Sequence, residues 1–119
     1  RRRNAWDTEL TQARGEVEWF AHDLVPALQR YSSVDEVAGG WQVVSGRVTA
    51  AEDQLTALAD SAPDQLRQAR ALALRDSVRR SRTGLERLVI THDSSTLSAD
   101  LVEVSTILAR ALEPSVPLD

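Results

Sequence analysis

Apolar residues recur every three or four positions along nearly the whole chain, and this rhythm constrains the fold more than any other feature. One series runs through Trp6, Leu10, Ala13, Val17, Phe20, Leu24, Ala27 and Tyr31. A second runs through Val37, Trp41, Val44, Val48, Ala51, Leu55, Leu58 and Ala62. A third, broader stripe holds Ala71, Leu74, Val78, Ser81, Leu85 and Leu88, with Leu66, Ala69 and Ala73 beside it, and a fourth holds Leu97, Leu101, Val104, Leu108 and Ala111. Alternating steps of four and three keep one edge of a helix against its neighbour and wind helix pairs into left-handed crossings. The spacing predicts helices over about 5–31, from Ser33 to about 62, from Pro63 to about 89, and over about 96–112.

The breaks carry recognisable start and stop signals. Asn4 is a suitable N-cap, with Asp7 and Glu9 in the first turns. Ser33 followed by Glu36 is a capping box. In Ser61-Ala62-Pro63-Asp64, a proline just inside a helix start and an acid in the first turn are both start signals. His92, within the polar stretch Thr91–Ser95, belongs to a loop, and Pro114 and Pro117 end the last helix. Short connections between helices with matching seams imply antiparallel neighbours. The expected fold is all-α: an antiparallel helical bundle of three long helices plus a shorter fourth, with left-handed coiled-coil-like packing. It fills a single domain over 1–119, with a basic, juxtamembrane-like segment at 1–3 and a C-terminal tail at 113–119.

Composition narrows the core and the chemistry. Apolar residues make up 42% of the chain and aromatics only 4%, so the core is built from Leu, Val and Ala, of which Ala and Leu are strong helix formers. The absence of cysteine excludes disulfides and thiolate metal sites. No apolar run approaches the ~20 residues that cross a bilayer. No methionine occurs, even at the start, which points to a piece of a longer protein. All 14 basic residues are arginine, which fits the codon bias of a GC-rich genome.

Charge is distributed by helix. Residues 63–92 carry seven arginines against three acids, a net of +4. Residues 32–62 and 93–119 each carry one arginine against five acids, a net of −4. A basic third helix between acidic neighbours favours that neighbour order. Its arginines (Arg67, Arg70, Arg75, Arg79, Arg80, Arg82, Arg87) are expected to pair within the fold. Their alternative use is to track anionic lipid headgroups or phosphates. The net charge of −4 and the lack of a nucleic-acid motif argue against nucleic acid.

Several residues invite a functional reading. Folding the first two helices about Ser32-Ser33 brings Pro26, which should kink its helix, opposite Gly39-Gly40-Trp41. Glycines there let the helices approach, with Trp41 plugging the gap; the alternative is a shallow ligand pocket lined by Trp41, Phe20 and Trp19, with His22 or Asp23 at its mouth. Trp19 lies off the seam and, where exposed, marks a protein-binding patch. Glu18 and His22 are only half of a metal site, without the Glu-x-x-His pattern of di-metal bundles, so no metal is expected. His92-Asp93-Ser94 holds triad residue types, but consecutive residues cannot form a nucleophile–base–acid relay, and a loop and cap role is expected instead.

The segments Arg1-Arg2-Arg3 with Ala5-Trp6-Asp7, then Glu18-Trp19-Phe20-Ala21, Leu24-Val25-Pro26 and Ala38-Gly39-Gly40-Trp41, resemble a type of actinobacterial protein in which a membrane helix precedes a Trp-, Ala- and Arg-rich helical tail. The resemblance covers most of the chain. It implies membrane tethering and an actinobacterial source, and brings no activity or site residue with it. Arg1, Arg2 and Arg3 themselves read as the basic flank that holds such a helix with its following segment in the cytoplasm. The expected function is a non-enzymatic interaction or scaffolding domain without a cofactor, tethered to the cytoplasmic face of a membrane. It is a monomer or homodimer whose protein partner engages Trp19, His22, Asp23 and Trp41, or Arg75, Arg79 and Arg82. A ligand-binding or enzymatic bundle using the Pro26/Gly39-Gly40 junction is the main alternative.

Overall fold

The computed structural model describes residues 2–114; Arg1, the Arg2 side chain and residues 115–119 lie outside the described residues. The expected basic segment is therefore seen at Arg3 alone, which is exposed, and the expected tail at Glu113 and Pro114.

The described chain is helical with no strand, and its helices pack side by side into a body of 49 × 24 × 19 Å. The first arm comprises α1 (Arg2–Trp19), a π-helical turn (Phe20–Leu24) and α2 (Val25–Gln29). It is followed by α3 (Val34–Asp60), α4 (Gln65–Thr91), a 3₁₀ turn (Ser94–Thr96) and α5 (Leu97–Ala111). No described helix is long and apolar enough to cross a membrane.

The start signals act with adjustments. Ser33 Oγ accepts from the Glu36 N–H at 3.2 Å, while the Glu36 carboxylate accepts from the Ser32 N–H at 3.1 Å, so the box closes on Ser32. Asp64 caps α4 by accepting from the Arg67 N–H at 2.8 Å, which leaves Pro63 just outside the helix rather than inside it. Asn4 is not a cap, because α1 is already helical at Arg2 and Asn4 lies within it. His92 ends α4 in the left-handed region at φ 56°, a conformation uncommon for a side chain with a Cβ.

Pro26 does not simply kink the first arm; it sits behind a change of register. Lacking an N–H, it cannot donate to the His22 carbonyl. The chain instead widens into a π turn in which the Val25 N–H reaches back five residues to the Phe20 carbonyl. That turn holds one residue more than an α turn, so every later seam position moves by one. Leu24 is buried as expected, but the seam expected next through Ala27 and Tyr31 continues through Val25 and Leu28, both fully buried, while Ala27 is half-buried and Tyr31 lies exposed. The other seams hold: Val37, Trp41, Val48, Ala51, Leu55 and Leu58 of α3 are buried, as are Ala71, Leu74, Val78, Ser81, Leu85 and Leu88 of α4. Leu101, Val104 and Leu108 of α5 complete the core.

Inter-helix contacts fix which ends meet. Trp6 Nε1 near the start of α1 donates to the Leu58 carbonyl near the end of α3 at 2.9 Å. Arg67, one turn into α4, donates from Nε to Asp7 at 2.8 Å and from Nη1 to Asp64 at 2.7 Å. At the other end His92 lies 3.1 Å from Asp35.

Candidate functional site

Two surface features stand out. The first is on α1, the π turn and α3. Arg47 lies over the Trp19 ring, its guanidinium carbon 3.7 Å from the ring centroid. Its Nε and Nη2 donate to the two Glu16 carboxylate oxygens at 2.8 and 2.9 Å. This fork holds the Glu16 carboxyl below its ordinary range and raises the Arg47 guanidinium, to which the nearby Asp23 charge also contributes. A cation over an indole and a bidentate pair are each modest on a surface, but together they fix one geometry for three side chains. One turn before Arg47, Val43 is 84% exposed. Trp19 is half-buried, and His22 and Asp23 stand exposed on the π turn.

Trp41 is absent from that surface. It is buried against Phe20, with ring centroids 6.4 Å apart, and so is a core residue rather than a contact residue. The Pro26 junction is filled from within the chain. A Cβ at Gly40 would stand 2.9 Å from the Tyr31 ring and 3.2 Å from a Leu28 methyl, whereas Gly39 faces open space. The glycine pair thus serves a close approach at one position only, and the neighbour it admits is Tyr31, displaced there by the register shift.

The arginines of α4 divide. Glu52, buried on α3, accepts from Arg79 Nε and Arg82 Nε at 2.8 Å each, and Arg82 also reaches Glu86 at 3.0 Å. The Arg82 hydrogen bond, with Arg79 behind it, holds the Glu52 carboxyl low despite burial. Arg75 bonds to neighbouring Asp76 at 2.9 Å. Arg80 and Arg87 line a polar slot of about 230 Å³ with Asp100 and Glu103 of α5. Of the arginines singled out from the sequence, Arg79 and Arg82 are tied into the α3–α4 packing.

The second feature had no counterpart in the sequence reading: a groove of about 700 Å³ along α1 and α4 where α5 stops. Leu10, Leu66, Ala69 and Ala73 form its apolar wall, with Leu66 49% exposed. The signal was present in the sequence as the shorter fourth seam. Arg67, 2% exposed and clasped by two carboxylates, pairs within the fold as expected, and the structure adds that it is a buried link between α1 and α4. Its guanidinium is raised by Asp7 first and Asp64 second.

Among the described residues no group of three or more His, Cys, Asp or Glu side chains is placed to hold a metal ion, and Glu18 and His22 are both exposed. No protein family, curated protein or solved structure matches the chain.

Proposed function

We propose that this chain is a non-enzymatic interaction domain, an antiparallel helical bundle with left-handed crossings, that docks a protein partner through the Trp19–Arg47 surface. The pairing of Trp6 with Leu58 and of His92 with Asp35 supports the antiparallel order. The observation that carries the docking site is Arg47 stacked on Trp19 beside exposed Val43. Trp and Arg dominate binding hot spots, and side chains held in place before binding lose less entropy when a partner arrives. His22 and Asp23 form the polar edge.

The same reading has the domain tethered through its N-terminus to the cytoplasmic face of a membrane. Arg3 stands in the first turn of α1, where the helix dipole disfavours a cation; anionic headgroups beside it would compensate, as Asp7 and Asp64 do in part. Lipid or nucleic-acid binding by the α4 arginines has less support, because Arg79 and Arg82 are committed to Glu52.

The test is a cross-linked pull-down from host lysate with the wild-type chain, Trp19→Ala and Val43→Glu. Val43 is exposed enough that the glutamate leaves the fold intact. A protein recovered by the wild type and by neither variant supports the site. Equal recovery by all three overturns it.

A further inference from the structure

The first arm carries two seams and uses one. Both share Trp6, Leu10, Ala13, Val17 and Phe20, all buried. Beyond Phe20, an uninterrupted α-helix places Leu24, Ala27 and Tyr31 on the seam, in steps of four, three and four. The π turn brings Val25 and Leu28 there instead, at 0% and 1% exposed. The two sets are close in bulk, because a smaller and a larger side chain, Ala27 and Tyr31, stand against two of middle size. Passing from one register to the other turns the chain beyond Leu24 by about 100°, the angle of one residue. Ala27 is half-buried and Tyr31 40% exposed, so both already stand at the margin of the core.

The wide register is favoured locally. π turns are rare, and Pro26 supplies the reason for one here. In an α-helix its ring would meet the His22 carbonyl, and its missing N–H would leave that carbonyl unpaired. Gly40 provides a seat for the displaced ring, since a Cβ there would stand 2.9 Å from Tyr31. We infer that the first arm is a two-register element. Residues 25–31 exchange between the wide register, with Tyr31 outside, and an α register in which Tyr31 enters the core and Val25 turns out. Pro26 biases the exchange toward the wide form. A molecule that grips the exposed Tyr31 ring holds the arm in that form, because it binds one register only. His22 and Asp23 lie within the turn that tightens, so the exchange also re-aims the polar edge of the Trp19 surface. That consequence rests on the docking reading, whereas the exchange itself does not.

Tyr31 is the chain's one tyrosine, so 3-fluorotyrosine labels this position alone. Fluorine NMR of the full chain reads the ring's exposure from the change in its resonance between light and heavy water. The wild type should give an exposed resonance, with a weak second state found by saturation transfer. Pro26→Ala should raise that second, buried state about ten-fold or more, with the helical circular dichroism retained. Deleting Ala21 together with Pro26→Ala removes the extra residue and should return the ring to the exposed resonance. A single exposed resonance in Pro26→Ala overturns the inference, because burial of Val25 and Leu28 would then set the register without the proline. A buried ring in the deletion variant overturns it too, because the ring would then follow the loss of the proline and not the register. None of these readings involves Trp19, so failure of the docking surface leaves them intact.

Discussion

The two ends of the molecule are held together by different means. Where α2 ends, α3 begins, α4 finishes and α5 starts, four helices bring Val25, Leu28, Val34, Val37, Leu88 and Leu101 into one apolar core. The polar contact between elements found there among the described residues, His92 Nε2 at 3.1 Å from Asp35, lies in solvent. At the opposite end, among the described residues, the helices that meet are α1, α3 and α4. There Trp6 bonds to the Leu58 carbonyl, Gln68 bonds to the Ala59 carbonyl at 3.2 Å, and the Arg67 guanidinium is clasped by Asp7 and Asp64. A fourth helix supplies enough apolar burial for its end to need few polar ties. Without it, fixed hydrogen bonds hold three helices in place beside an open groove, and a buried arginine is tolerable because carboxylates from two sides meet its donors.

The largest expected effect tests the tied end. Trp6→Ala removes a buried indole and leaves the Leu58 carbonyl without its donor, and should cost about 3–5 kcal/mol in urea unfolding. Trp6→Phe, which keeps most of the bulk, should cost about 1–2 kcal/mol for the bond and its orphaned acceptor. Equal losses would mean that packing alone matters there, and the contrast between the ends would fail.

Cavities should then rank by how far the surroundings close over them. Leu108→Ala, fully buried on α5, should lose about 3 kcal/mol. Leu10→Ala, on the groove wall, should lose about half as much, because water already reaches its edge. A reversed order would show that the groove is closed in solution.

Acid should loosen the tied end first. Asp7 is held below its ordinary 3.8 by the Arg67 side chain, and Asp64 below 3.8 by the Arg67 backbone N–H and then its guanidinium. Glu52, between the ends, is held below 4.5 by Arg82. A carboxyl lowered by folding contributes stability that is complete above its unfolded value and fades as pH falls through the folded value. Stability should therefore be level above about pH 5 and decline below about pH 4. Hydrogen exchange over that decline should rise earlier in residues 6–12 than in residues 98–105. Simultaneous opening would make the two ends one cooperative unit.

The smallest effect falls at the four-helix end. Gly39→Ala meets open space and should add about 0.5–1 kcal/mol from helix propensity. Gly40→Ala should gain nothing, because its methyl drives into Tyr31 and Leu28. Paired thermal melts separate the two.

Much of this was legible from spacing. The buried faces of α3, α4 and α5, the Ser33 start signal and the pairing of a basic α4 with acidic Glu52 all follow from residue type and period. What escaped was set by three dimensions. Pro26 announces a disturbance but not whether the helix bends or takes in an extra residue; only the burial of Val25 and Leu28 in place of Ala27 shows the latter. Arg67 resembles the other arginines of α4 until Asp7, sixty residues away, closes over it. The spacing places Trp19 off the seam, but its partner Arg47 lies on the next helix at no fixed sequence offset.

The π turn also defines where this protein tolerates a change in length. Elsewhere in a helix, losing one residue rotates everything beyond by about 100° and turns core positions outward. Between Phe20 and Leu24 the chain already holds one residue more than an α-helix needs. Deleting Ala21 together with Pro26→Ala would bring Val25 and Leu28 onto the seam of Trp6, Leu10 and Val17 in one unbroken helix. Two lineages of this domain differing by those two changes would share a core and keep Tyr31 on the same face.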